Sequence, residues 1–178
     1  GLASYLPIFF FDQYGLSRVS AGNFTALCVL AGSLLRPVGG ALADRFGGVQ
    51  TLTRLYGVLG ALMLGVSLLP PLPLVTGLLV LGMSGLGMGN GAVFQLVPQR
   101  FRHEIGVATG IVGAAGGLGG FLLPSGLGLL RDVTGSYASG FAVFALGALT
   151  CLAVLRLLEP TWRPWLTPVL VRAHLDER

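Results

Sequence analysis

The chain has 178 residues, of which 53% are hydrophobic and only 10% charged, and its mean hydropathy is +0.82. A soluble domain carries about a quarter charged residues, so this composition excludes an ordinary cytosolic enzyme, a nucleic-acid-binding module and a disordered segment. The net charge of +4 does not point to nucleic acid either, because all eleven basic residues are Arg and most sit beside the ends of apolar runs, where topology signals belong.

A spanning helix needs about 20 apolar residues, and about six such spans fit the chain with short loops between them, which predicts an all-α polytopic membrane bundle. The first run, residues 1–11, rises only about 16 Å as a helix, half of a ~30 Å hydrocarbon core. It is expected to begin partway along a helix. Gly1 opens directly into apolar sequence, with neither a basic n-region nor a cleavage pattern. A polar loop over residues 12–18 leads to a second span at 20–43, closed by a charged turn at 44–48. The third span, 51–69, ends at Pro70-Pro71-Leu72-Pro73, a helix stop. The fourth, 74–97, ends at Pro98, and residues 99–104 form a polar loop. The fifth, 106–123, is expected to stop near Pro124, with Arg131-Asp132 and Gly135-Ser136 in the next loop. The sixth runs over 137–158, and a tail at 159–178 carries Trp162 and Trp165, residues suited to the membrane interface.

Eight arginines lie in the connections after the second, fourth and sixth spans, against Arg18 and Arg131 on the other side. The excess places those connections and the C-terminus in the cytoplasm, which also requires the first segment to enter from a cytoplasmic flank. Cys28 and Cys151 lie in apolar stretches without metal-ligand or CxxC spacing, and they read as packed thiols. No nucleophile–base pair, metal cluster or cofactor motif occurs, so neither an enzyme nor a bound metal or cofactor is expected.

Arg36 is the most informative residue. It sits eight residues before Asp44, about 12 Å along a helix, a long reach for snorkelling. Placing it in hydrocarbon costs at least about 2.5–3.5 kcal/mol. Every Asp and Glu lies at a span end, in a loop or in the tail, so its partner is either a bound anion or an acid elsewhere in the protein. A guanidinium fork suits a planar oxyanion.

In the fifth span Gly110, Gly113, Gly117 and Gly120 are spaced three, four and three, and Gly116 and Gly119 widen the bare surface. One helical face is thereby stripped of side chains. Close helix packing and backbone contact with a small ligand both explain it. The fourth span repeats the theme around Gly87, Gly89 and Gly91. There Asn90 is expected to be buried in hydrocarbon, so it must hydrogen-bond either another helix or an anion. Pro37 either permits bending or fixes a kink. Tyr5, Phe9, Phe10 and Phe11 either wall a path or fill a core. Thr25, Ser84 and Thr109 are expected to bond their own helices.

Gly40-Ala41-Leu42-Ala43-Asp44-Arg45-Phe46-Gly47-Gly48 resembles the G-x-L-x-D-R-x-G loop of the major facilitator superfamily, in which Gly40, Asp44, Arg45 and Gly47 are the motif positions. Together with Arg36-Pro37-Val38-Gly39-Gly40, the stretch from Gly87 to Phe94 and the glycine run from Gly110 to Phe121, it resembles the nitrate/nitrite porter family. The resemblance implies the C-terminal half, helices seven to twelve, of a twelve-helix plasma-membrane transporter of nitrate, nitrite or both. It further implies that Arg36 is one of two arginines that grip the anion, the other belonging to an N-terminal half. The run from Gly110 to Phe121 matches the second glycine-rich signature of that family. No mid-span carboxylate or His is present, His103 and His174 lying in a loop and the tail; this favours exchange over proton symport. The competing readings are another small-anion transporter, or an anion-sensing or scaffold membrane protein that does not transport.

Overall fold

The fold is described by a computed structural model covering residues 1–101 and 103–166, without the side chains of residues 99, 100 and 159–166. The described residues form an all-α bundle of seven helices: α1 (Leu2–Tyr14), α2 (Arg18–Leu34), α3 (Arg36–Phe46), α4 (Gly48–Ser67), α5 (Leu72–Arg100), α6 (Ile105–Thr134) and α7 (Tyr137–Leu166). Five stretches are long and apolar enough to cross a membrane: Arg18–Phe46, which joins α2 and α3, then Gly48–Ser67, Leu72–Pro98, Ile105–Thr134 and Tyr137–Leu158. The six expected rods are therefore present, the first of them short.

Several boundaries differ from the sequence expectation, each for a local reason. The second span is broken at Leu35, whose φ of −90° and ψ of 0° close α2, while Arg36 and Pro37 open α3. A proline at this position needs no intrahelical donor, and its fixed φ favours a helix start. The turn after α3 narrows to Gly47 alone, at φ 88°, a left-handed conformation open to glycine and costly to residues with a Cβ; Asp44, Arg45 and Phe46 belong to α3. Pro124 does not stop the fifth span: α6 runs on to Thr134 and ends at the left-handed Gly135, so Arg131 and Asp132 are helical rather than in a loop. Proline is tolerated inside a membrane helix, where local adjustments satisfy the backbone groups it frees. The helical stretch of α7 continues past residue 158 to Leu166, so the start of the expected tail is helix. The side chains of Trp162 and Trp165, and everything from 167 onward, lie outside the described residues.

The short α1 is fixed by side chains. Phe9 is fully buried, with ring centroids 4.9 Å from Phe141 and 5.3 Å from Tyr137. Tyr5 donates to the Leu127 carbonyl at 3.2 Å and Tyr14 to the Pro70 carbonyl at 2.7 Å. Asp12, expected in a loop, lies in α1, where one carboxylate oxygen accepts from Arg131 at 2.7 Å and from the Tyr137 hydroxyl at 2.8 Å. Tyr5, Phe9 and Phe10 are thus core and not a path wall, whereas Phe11 is exposed beneath the Arg18 guanidinium. Cys28 is core and Cys151 is exposed.

The closest backbone approach joins α2–α3 to α5. A Cβ on Gly87 would overlap the Gly32 carbonyl, one on Gly39 the Met88 backbone, one on Gly91 the Arg36 carbonyl, and one on Gly32 would lie 2.7 Å from the Met83 oxygen. Helices in lipid associate through such packing, since lipid tails are as apolar as their side chains. Thr25 and Ser84 donate to the carbonyls of Ala21 and Val80, as residues that spend their hydroxyls on their own helix.

Gly87→Val is expected to force α2–α3 and α5 apart, at or above the ~1–3 kcal/mol of ordinary overpacking. The melting temperature of the purified protein should fall by several degrees, while Gly117→Val on α6, where a Cβ meets nothing within 4 Å, should leave it nearly unchanged.

Candidate functional site

The crossing of α2–α3 with α5 decides where Arg36 stands. Its carbonyl rests where Gly91 has no side chain, one residue from Asn90, so the two polar side chains are brought to the same wall. Together they line a partly open cavity of about 400 Å³, with Gly32 and Ser33 of α2, Met83 and Gly87 of α5, and Gly116, Gly119 and Gly120 of α6. Among the described residues Arg36 is the only charged side chain on that wall and forms no ion pair. The side chain is exposed to the cavity, so its five donors are available to whatever enters.

Asn90 was expected to be buried and is not. It is exposed, and no hydrogen bond joins it to another helix among the described residues. Its amide instead faces both the Arg36 cavity and a neighbouring cavity of about 690 Å³ lined by α4, α5 and α6. Gly116 and Gly119 are shared between the two cavities, Gly113 lines only the larger and Gly120 only the smaller. Gly110 and Gly117 line neither. The candidate set thus divides into Arg36, Asn90, Gly116 and Gly120 around one space, Gly113 beside it, and two glycines outside it.

The α6 glycines do not pack against a helix of this chain. A Cβ at Gly110, Gly113, Gly116, Gly117 or Gly119 would meet nothing within 4 Å, and one at Gly120 only the Gly1 nitrogen, at 3.9 Å. Of α6 only Leu127 is buried. Helix packing within this chain therefore accounts for Gly82, Gly87 and Gly91 of α5 and not for the glycine run of α6, whose bare face is open to a ligand or to a surface outside the chain.

Sequence reasoning missed Gly32 and Gly39. They lie seven residues apart on either side of Arg36, Gly32 opposite Gly87 and Gly39 opposite Met88, with Gly91 opposite the Arg36 carbonyl. Spacings of seven on the second apolar span and four on the fourth are the signal of a close crossing, and the first pair flanks the arginine that the crossing positions.

The loop motif forms a separate arrangement. Asp44 accepts from the Gln95 amide at 2.9 and 3.1 Å, tying the end of α3 to α5. Arg45 and Arg54 lie over the Phe46 ring, with their guanidinium carbons 5.5 and 5.7 Å from its centroid. A Cβ on Gly40 would lie 3.8 Å from the Gly91 oxygen, an ordinary contact, so Gly40 tolerates α5 without depending on it. The motif fastens the α3–α4 turn and lines no part of the Arg36 cavity.

Comparison with known proteins gives a consistent picture. The family profile described as Major Facilitator Superfamily matches residues 1–124. Over 162 residues the chain is 38% identical to the nitrite extrusion protein of Bacillus subtilis, covering 90% of this chain and 40% of that protein. It is 35% identical over 153 residues to the probable nitrate transporter NarT of Staphylococcus carnosus, covering 85% and 39%. It is 37% identical over 153 residues to the corresponding Staphylococcus aureus protein, covering 84% and 38%. The chain thus spans about 40% of the length of the curated relatives it matches. No solved structure matches it.

Filling the cavity from the α6 side should separate site from scaffold. Gly116→Leu is expected to lower anion binding to the purified protein at least about tenfold, read by isothermal titration, with a smaller effect on melting temperature than Gly87→Val.

Proposed function

The chain belongs to the Major Facilitator Superfamily, and we propose that it forms helices seven to twelve, the C-terminal half-bundle spanning residues 1–178, of a multi-pass transporter that carries nitrate, nitrite or both across the plasma membrane. The observation that carries this reading is Arg36: one cation, without an acid among the described residues, facing a cavity otherwise lined by the Asn90 amide, Ser33, glycine backbone and apolar side chains. Such a wall favours an anion by charge and a flat oxyanion by the geometry of the guanidinium fork. The names of the relatives, a nitrite extrusion protein and nitrate transporters, supply the substrate class. Their greater length supports a second half that would face the open cavity. The arginine excess supports a cytoplasmic C-terminus.

In this mechanism two halves rock about a midplane site. Arg36 and Asn90 receive the anion from one side of the membrane, and the bare face of α6 lets backbone approach it. An empty site brings two facing guanidiniums together as the halves close, and their repulsion resists closure, whereas a bound anion between them offsets that repulsion. The ligand therefore binds the closed form more tightly and shifts the population toward it. His103 and Glu104 stand in the loop between α5 and α6, away from the Arg36 cavity, and no titratable acid lines that cavity. This supports exchange of one anion for another.

Counterflow of labelled nitrate into proteoliposomes preloaded with nitrite tests the reading, because a sensor would bind without exchange. The complete transporter, with both halves present, should accumulate label without an imposed pH gradient, and the variant is read in the same background. Arg36→Lys keeps the charge and loses the fork, and it should slow counterflow at least about tenfold, or 1.4 kcal/mol. Counterflow unaffected by that substitution would overturn the role of Arg36.

A further inference from the structure

A second basic site lies where α4 begins and α7 approaches the end of its apolar stretch. Arg54 of α4 and Arg156 of α7 line one pocket of about 250 Å³, together with Val49, Gln50 and Thr53. Its floor is closed and satisfied: Val49 and Thr53 are buried, and the Thr53 hydroxyl donates to the Val49 carbonyl at 2.8 Å. Its rim is not. Arg54, Arg156 and Gln50 are exposed, and among the described residues no acid lines the pocket and neither arginine forms an ion pair. The Phe46 ring, 5.7 Å from the Arg54 guanidinium carbon, limits where that side chain can swing. Two like charges sharing one pocket repel each other, and an anion between them reverses the sign of the interaction.

We propose that Arg54 and Arg156 bind a phosphate group, held at the membrane interface between α4 and α7. Phosphate offers several oxygens to two guanidinium forks, and basic pockets between membrane helices receive anionic lipid headgroups. The surroundings favour a lipid over free phosphate. Arg156 stands two residues before the end of the apolar stretch Tyr137–Leu158. Bare apolar side chains lie beside the pocket, with Val154 and Leu157 of α7 exposed by 47% and 77% and Val58 of α4 by 57%. An acyl chain descending from the headgroup covers these side chains, and a free ion does not. The site uses no residue of the Arg36 cavity, so it stands whether or not nitrate is the cargo.

Native mass spectrometry of the purified, delipidated protein tests the proposal with phosphatidylglycerol and phosphatidylcholine as probes. Wild type is expected to retain phosphatidylglycerol about tenfold better than phosphatidylcholine. R54Q/R156Q should lose that preference, while Arg18→Gln, on a helix away from this pocket, should keep it. R54K/R156K retains charge without forks and should give an intermediate preference, which also covers a glutamine variant that fails to fold. Inorganic phosphate identifies the source: a lipid site resists displacement by millimolar phosphate, and a free-phosphate site exchanges with it. Either result supports the phosphate chemistry if the arginine dependence holds. Equal retention of the two lipids by wild type, or an unchanged preference in both double variants, overturns it. Failure of nitrate counterflow leaves this readout unmoved.

Discussion

The contact between the α2–α3 backbone and the glycines of α5 is the constraint on which the rest of the bundle depends. Side chains keep most helix axes 8–10 Å apart. Here Gly32, Gly39, Gly87 and Gly91 remove them, and carbonyl oxygens occupy the space that Cβ atoms would fill. The arginine between Gly32 and Gly39 cannot then shift along its helix without its carbonyl meeting α5. Placement of a charged side chain is achieved by backbone packing, with no salt bridge or buried hydrogen bond to the guanidinium among the described residues. That leaves the guanidinium itself uncommitted, as a residue whose partner must come and go has to be.

Two populations of glycine share the same sequence spacing and do different things. Gly87 and Gly91 of α5 meet carbonyl oxygens of α2–α3, whereas Gly110, Gly113, Gly116, Gly117 and Gly119 of α6 meet empty space. Spacing sets which residues share a face, but what that face touches is a tertiary property. Within this chain α6 is held mainly through Leu127, through the aromatic core near Tyr137 and through Arg131 on Asp12. Its midsection stands clear of the bundle. A long apolar helix anchored at one end, with a smooth face along its middle, is suited to sliding against whatever covers it, since no side chain has to leave a groove for the helix to move.

Much of this was legible beforehand because hydrocarbon imposes simple lengths: five stretches crossing the membrane, the proline stop before α5, and the prominence of Arg36 follow from apolar runs and charge. The misreadings have separate physical causes. Pro124 and Arg131-Asp132 look like loop signals in water, but in a membrane helix proline is tolerated. The charged pair lies at the helix end, where Arg131 finds Asp12, 119 residues away. No local pattern announces that partner. The break at Leu35 was half visible in Pro37, and the exposure of Asn90 was hidden because a polar residue in an apolar run reads as buried unless the cavity beside it is known.

The open cavity and the lone charge impose a condition on the proposed cycle. A guanidinium in contact with water incurs little penalty, but the same group in a closed, dry space incurs several kcal/mol of desolvation. A carboxylate fixed opposite it would remove the penalty permanently, and closure would no longer depend on cargo. A mobile anion removes it only while bound. The absence of an acid from the wall, among the described residues, is therefore what would allow occupancy to control motion in such a transporter. It also explains why the other polar side chains on the wall, Asn90 and Ser33, are neutral and stand among glycines and apolar residues: they offer donors without adding a charge that would compensate Arg36 in the anion's place.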